Sequence, residues 1–204
     1  MTLSEFDNEI RKDYNVVCGC DEAGRGPLAG DVFAAAVIFD KDTVIEGIND
    51  SKKLTAKKRE ELFDEIMEKA VDFSIQTATV EEIEDINILN AAMLAMKRAV
   101  EDMDTKPDVC LIDGNKTPEG LDCPAIAVVK GDAKSQAVAA ASILAKVARD
   151  RYMEQMAEQY PEYRFEKHKG YGTKLHYQMI DQYGPCGIHR MSFLKKYYAK
   201  KNGH

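Results

Sequence analysis

No apolar run in this sequence approaches the ~18–20 residues that a membrane span needs. The opening MTLSEFDNEIRKDY has neither a basic start nor an apolar centre, so it is not expected to act as a signal peptide. Five cysteines, at positions 18, 20, 110, 123 and 186, make an odd set with no repeated C-x-x-C spacing. That pattern argues against a disulfide framework and against a paired-cysteine zinc site, and it predicts reduced thiols in a cytoplasmic protein. Internal repeats, low-complexity tracts and long Pro/Gly linkers are missing too. The expectation is one continuous domain over residues 1–204, helical from about residue 160 onward. With 204 residues, 45% of them apolar, the chain can bury a full core without staples.

Positive charge is also short, at a net of −7, which at first excludes a polyanionic partner. The charge is unevenly spread, however. Residues 60–104 carry 13 acidic and 3 basic side chains, whereas 165–204 carry 8 basic and 2 acidic. A second basic cluster comprises Lys52, Lys53, Lys57, Lys58 and Arg59. An acidic protein can present one basic face in this way, and a local patch is what a polyanion meets. Solvated helix faces would give the same composition.

Short apolar runs at Val16–Cys20 and Asp31–Phe39 predict two strands joined by the glycine-rich AGRGPLAG. Thr55 is placed to cap a helix through Ala70, and the alternation over Asp72–Thr79 predicts a third strand. A helix over Ile88–Met103 follows, then buried strands at Val109–Ile112 and Ala125–Val129. Ser135 to about Gln159 is an alanine-rich helix whose small side chains suit close packing on a sheet, and one or two helices complete the chain. The order predicts an α/β fold with a mixed sheet.

Carboxylates gather at the strand ends of this scheme. Asp21 and Glu22 follow the first strand, Asp113 follows Val109–Ile112, and Asp132 lies between the last strand and the long helix. Taken singly, each has an ordinary reading, as solvated turn acids, an Asp-Gly turn and a helix cap. Adjacent residues of a regular strand point to opposite faces, so Asp21 and Glu22 reach one point only if the chain leaves the pleat there. Sites in open α/β sheets form outside the carboxyl ends of strands, where all four residues fall. Four carboxylates with no convergent histidine suit Mg²⁺ or Mn²⁺ better than zinc, and a pair of such ions would serve phosphodiester cleavage. His168, His176 and His189 are scattered in sequence and are read as hydrogen-bonding groups, and Asp150 as an ion-pairing residue.

Gly24-Arg25-Gly26 imitates a dinucleotide-binding loop, which would point to an oxidoreductase. That fingerprint needs a helix next, and the strand-like Asp31–Ile38 stands there instead. In a hairpin, the glycine amides and Arg25 can approach a sugar-phosphate backbone. A binding module without catalysis is the remaining alternative, disfavoured by the intact carboxylate set.

With these residues in hand, the sequence resembles ribonuclease HII, the type 2 ribonuclease H, in its bacterial form. The matching segments, in the family's order, are DEAGRGPLAG (21–30), DSKKLT (50–55), LIDGN (111–115), VKGDAKS (129–135), AASILAKVARDR (140–151), HKGYGTKLH (168–176) and GPCGIHRMSF (184–193). The resemblance implies a ribonuclease H-like fold: a five-stranded mixed sheet flanked by helices, with a helical C-terminal extension. It implies that Asp21, Glu22, Asp113 and Asp132 are catalytic and hold two Mn²⁺ or Mg²⁺ ions. It implies that Gly24, Arg25 and Gly26 recognise a ribonucleotide's 2′-OH and neighbouring phosphates, that Tyr171 stacks on the sugar after an RNA–DNA junction, and that Lys52 and Lys53 lie beside the substrate backbone. The implied activity is endonucleolytic cleavage of RNA in RNA–DNA hybrids and at ribonucleotides embedded in duplex DNA, leaving 5′-phosphate and 3′-hydroxyl ends. The implied partner is nucleic acid, with no membrane, and the protein is expected to be a monomer. A different nuclease or a transposase of the same fold would share the carboxylates.

Overall fold

The computed structural model describes residues 1–201, apart from the side chain of Lys52. Five strands, β1 (Val17–Ala23), β2 (Val32–Ile38), β3 (Asp72–Ala78), β4 (Val109–Asp113) and β5 (Ala125–Val128), form one sheet in the order β3-β2-β1-β4-β5. The β1–β2 and β2–β3 pairs are antiparallel, and β1–β4 and β4–β5 are parallel. The expected α/β class and mixed sheet are therefore what the chain adopts.

The sheet is covered on both faces, which is why β2 reads VFAAAVI without polar alternation. Val32, Ala34, Ala36 and Ile38 pack toward α3 (Val80–Glu101), while Ala35 and Val37 pack toward α2 (Ala56–Lys69) and α4 (Gln136–Gln159). Thr55 caps α2 and Ser135 caps α4, each through its side-chain oxygen. The alanines let α4 press flush onto β1. A side chain at Gly19 would run into the main chain of Ala137 and Val138.

Three expectations need correction. The first strand does not stop at Cys20; β1 continues in register to Ala23, with Asp21 opposite Ala35 and Glu22 opposite Ala34. The helix expected from Ile88 begins at Val80, where Thr79 and Glu82 form a capping box. It is interrupted at Asn87 (φ 68°, ψ 163°), whose Oδ1 accepts from the Leu89 and Asn90 amides and restarts the helix. β5 is not buried through its length, since Ile126 is exposed at the sheet edge. The one or two helices expected to complete the chain are α6 (Lys174–Tyr183) and α7 (Met191–Lys201), preceded by the short α5 (Phe165–His168). A helix at the start, α1 (Leu3–Ile10), was not expected although Thr2 and Glu5 form a capping box for it; its buried Asp7 accepts from the Ala137 amide at 2.9 Å, adding to the cap on α4. All five cysteines are free thiols, and among the described residues no helix is long and apolar enough to cross a membrane.

Candidate active site

β1 outruns its parallel neighbour. The β1–β4 register ends at Cys20 opposite Ile112, so Asp21–Ala23 project past the sheet's carboxyl edge while still paired with β2. A strand with one side open presents both of its faces there. Asp21 and Glu22 thus line one cleft, of about 520 Å³, without leaving the pleat. Gly24, Arg25, Gly26, Lys146 and Tyr171 line it as well.

Asp113 ends β4 beside Asp21, and its Oδ1 accepts from the Gly131 amide at 2.7 Å. That bond ties the β4 end to the 3₁₀ turn Gly131–Ala133, which carries the buried Asp132. Asp132 is therefore not the cap of α4, a role filled by Ser135. Asp21 is only 6% exposed, and burial pushes its carboxyl well above the usual range. The charges of Glu22, Asp113 and Asp132 push it the same way. Asp113 and Asp132 adjoin Asp21 without lining the cleft itself. Among the described residues, the carboxylates do not close into a ready cation cage. Glu22 Oε1 accepts from Arg25 Nη1 at 3.1 Å, and Asp113 is held by the Gly131 amide.

The glycine-rich loop is a hairpin connection, as expected, sewn between two segments from the C-terminal third. The Leu28 amide donates to Gly170 O, the Gly30 amide to Ile188 O, and the Arg190 amide to Leu28 O. Gly24 has φ +102°, and a side chain there would overlap Arg149. At Gly26 the surroundings are open: an added Cβ would meet only the Tyr171 ring, at 3.8 Å. Tyr171 is 43% exposed over the cleft, with the Lys146 and Arg149 cations 6.0 and 5.9 Å from its ring centre. It is a presented ring, not a tyrosine packed into its own loop.

The histidines scattered in sequence converge in space and hold Tyr171 from behind. His189 Nδ1 accepts from the Cys186 amide at 2.9 Å, so its proton is on Nε2 and is donated to His176 Nε2 at 3.0 Å. His176 then donates from Nδ1 to the Tyr171 carbonyl at 3.0 Å. Burial holds both imidazoles down at about 4, so the chain is neutral.

Lys53 is exposed on the turn Ser51–Lys53 and does not line the cleft, and the side chain of Lys52 lies outside the described residues. Ser51 does line it, bonded through its hydroxyl to Ser142 on α4 at 2.7 Å. Several lysines of the expected basic face are already paired: Lys57 and Lys58 with Glu61, Lys169 with Glu154, Lys201 with Asp181. Asp150 pairs with Lys146 at 2.6 Å, as expected of it. Sequence reasoning missed Lys146, Ile88 and Phe193 in the cleft wall and the buried Arg149 and Arg190 beneath the loop. Only Arg190 left a signal, as a cation in the acid-free, glycine-containing block GPCGIHRMSF.

A family model described as ribonuclease HII matches residues 18–196. The chain belongs to the ribonuclease HII family. It is 55% identical over 189 residues to ribonuclease HII of Caldicellulosiruptor saccharolyticus, covering 93% of this chain and 92% of that one. Among solved structures it is similar to ribonuclease H2 from Pyrococcus horikoshii OT3, at TM-score 0.75 and 29% identity over 92% of this chain and 98% of that one. The fold is shared with Bst-RNase HIII in complex with Mn²⁺, at TM-score 0.72 and 17% identity over 92% of this chain and 70% of that one. Membership in the ribonuclease HII family makes the chain a metal-dependent endonuclease that hydrolyses RNA in RNA–DNA hybrids.

Proposed function

We propose that Asp21, Glu22, Asp113 and Asp132 are the catalytic carboxylates, that they hold two divalent ions, Mg²⁺ or Mn²⁺, and that the enzyme also cuts at ribonucleotides embedded in duplex DNA. The observation that carries this reading is the crowding around Asp21, a buried carboxyl with three more carboxylates acting on it. Such a cluster opposes its own ionisation until cations join it, and an oxygen-only donor set suits hard ions. When bound, these ions would lower the pKa of water at the phosphorus and neutralise charge growing on the phosphate.

The chain's own residues do the rest. Asp113 is oriented by the Gly131 amide and Asp21 by the Glu22 amide, at 2.7 Å each, so the carboxylates are directed before substrate arrives. Apart from uracil in place of thymine, RNA differs from DNA by its 2′-OH and the helix geometry that follows. In this reading the Gly24-Arg25-Gly26 main chain meets that hydroxyl, and the Tyr171 ring, beside Gly26 in the slot that receives the sugars, packs on the adjoining sugar. Arg25 and Lys146 supply charge for the neighbouring phosphates. Products carry 5′-phosphate and 3′-hydroxyl ends. The protein works as a single catalytic domain and a monomer; its free thiols suit the cytoplasm.

The test is cleavage of labelled duplexes carrying none, one or several ribonucleotides, with and without Mg²⁺, by the wild type and Asp113→Asn. Cutting only at ribonucleotides, only with the ion, and lost by at least a hundredfold in a folded Asp113→Asn is the expected result. Near-normal cutting by that variant, or cutting of all-DNA duplex, overturns the reading.

A further inference from the structure

The loop that faces the ribose is built inside out. Its carbonyls point into the protein, where Arg190 collects them: Nη2 donates to Gly24 O at 2.7 Å and to Gly30 O at 2.6 Å, Nη1 to Arg25 O at 3.2 Å and Pro27 O at 2.9 Å, and Nε to Gly30 O at 2.8 Å. Arg149, beside it, donates to the carbonyls of Ala29, Asp31 and Lys169. Both guanidiniums are essentially inaccessible, at 0% and 1% exposure, and neither forms an ion pair with a carboxylate among the described residues. By contrast, the amides of Gly24, Arg25 and Gly26 donate to no protein acceptor among the described residues.

A peptide unit that turns its carbonyl inward turns its N–H outward. An arginine is needed for this because its planar fork spreads donors over several directions, whereas a lysine ammonium offers three from one point. We propose that Arg190 is a positioning residue for ribonucleotide recognition: by binding the carbonyls of Gly24 and Arg25, it turns the Arg25 and Gly26 amides toward the cleft to receive the 2′-OH, while its bonds to Pro27 and Gly30 anchor the rest of the loop. The inference rests on the reading of the Gly24–Gly26 loop given above. Arg190 touches no substrate in this scheme; it acts through the loop. The buried positive charges beneath the loop also favour an anion above it.

The experiment measures equilibrium binding in an Asp113→Asn background, so that duplexes stay intact. Affinity for a duplex with one ribonucleotide is compared with affinity for the all-DNA duplex, for the parent and for Arg190→Lys. The parent prefers the ribonucleotide duplex, and Arg190→Lys should lose about tenfold of that preference while binding all-DNA duplex as before. A merely structural role would lower both affinities together and leave their ratio unmoved, and that outcome overturns the proposal. If the parent itself shows no preference, the reading of the loop fails and this inference with it. If Arg190→Lys does not fold, hydrogen–deuterium exchange on the unmutated loop decides. The Arg25 and Gly26 amides must exchange freely in the free protein and be protected more by the ribonucleotide duplex than by the all-DNA one. Slow exchange in the free protein, or equal protection, overturns it.

Discussion

Gly26→Ala separates the fold from the function, because this glycine is open where its neighbour is not. At Gly24 an added methyl overlaps the buried Arg149 and the backbone has φ +102°, so Gly24→Ala should destabilise by more than about 1 kcal/mol. Gly26 has no left-handed φ, and its Cβ would meet only Tyr171 Cε1, at an ordinary 3.8 Å. In the free protein the substitution therefore removes unfolded-state freedom at no steric cost, which stabilises by about 0.4–1 kcal/mol. For a chain of this size that raises Tm by roughly 1–4 °C. The methyl, however, stands in the slot beside the tyrosine ring, on the surface that the sugar has to meet. Forcing a methyl into a filled contact costs about 1–3 kcal/mol, or roughly 5- to 150-fold in single-turnover cleavage of a duplex with one ribonucleotide. The two assays are a thermal melt and that cleavage rate, run on Gly26→Ala with Gly24→Ala beside it. Wild-type cleavage by a stable Gly26→Ala would refute the placement of the sugar in this slot. A large loss of stability would refute the geometry of the loop.

The remaining predictions concern the residues that complete the slot. Tyr171→Ala should lose about 1–3 kcal/mol of stacking, roughly 5- to 150-fold in cleavage at a junction, while Tyr171→Phe keeps most of the rate; equal rates for wild type and the alanine variant would remove the ring from the mechanism. The histidines behind it make stability depend on pH. Burial lowers His176 and His189 to about 4 from the ordinary 6.5, so between those values the unfolded chain binds more protons than the folded one. Their contribution is present above pH 6.5 and is lost as the pH falls through 4, on the order of 3 kcal/mol for a complete shift of this size. Melting curves between pH 7 and 4 should show a smaller acid loss in His189→Gln than in the wild type, and identical slopes would contradict the neutral chain.

Much of the scaffold could be read from local chemistry. Thr55 caps the helix it was expected to cap, and every strand was found, since each is a short apolar or alternating run between turn residues. What local chemistry could not supply was how far a strand runs once a neighbour stops. Nothing in Cys20-Asp21-Glu22-Ala23 distinguishes a chain leaving the pleat from one that keeps its register with β2 after β4 has ended. The difference lies in the β1–β4 stagger, a tertiary property. The first half of α3 was hidden for another reason. The segment Glu81–Asp85 is mostly acidic, and the left-handed Asn87 divides the helix before the apolar stripe begins.

The candidate site divides along the same line. Asp21, Glu22, Asp113 and Asp132 were visible because a carboxylate at a strand end is a local event, repeated at several strands of one sheet. The recognition half was visible only at its tips, Gly24–Gly26 and Tyr171, while its supports were not. His189 and Arg190 are neighbours in sequence, yet one reaches the Tyr171 carbonyl through His176 and the other reaches four carbonyls of the loop. A short segment of the C-terminal third thus fixes both walls of the slot, through His176 on one side and from over 160 residues away on the other. No periodicity or spacing encodes that, because the partners are main-chain carbonyls, which every residue carries. What the sequence does show is a buried-looking arginine with no acid nearby, and in a glycine-rich neighbourhood that is the mark of a loop whose carbonyls are held from inside.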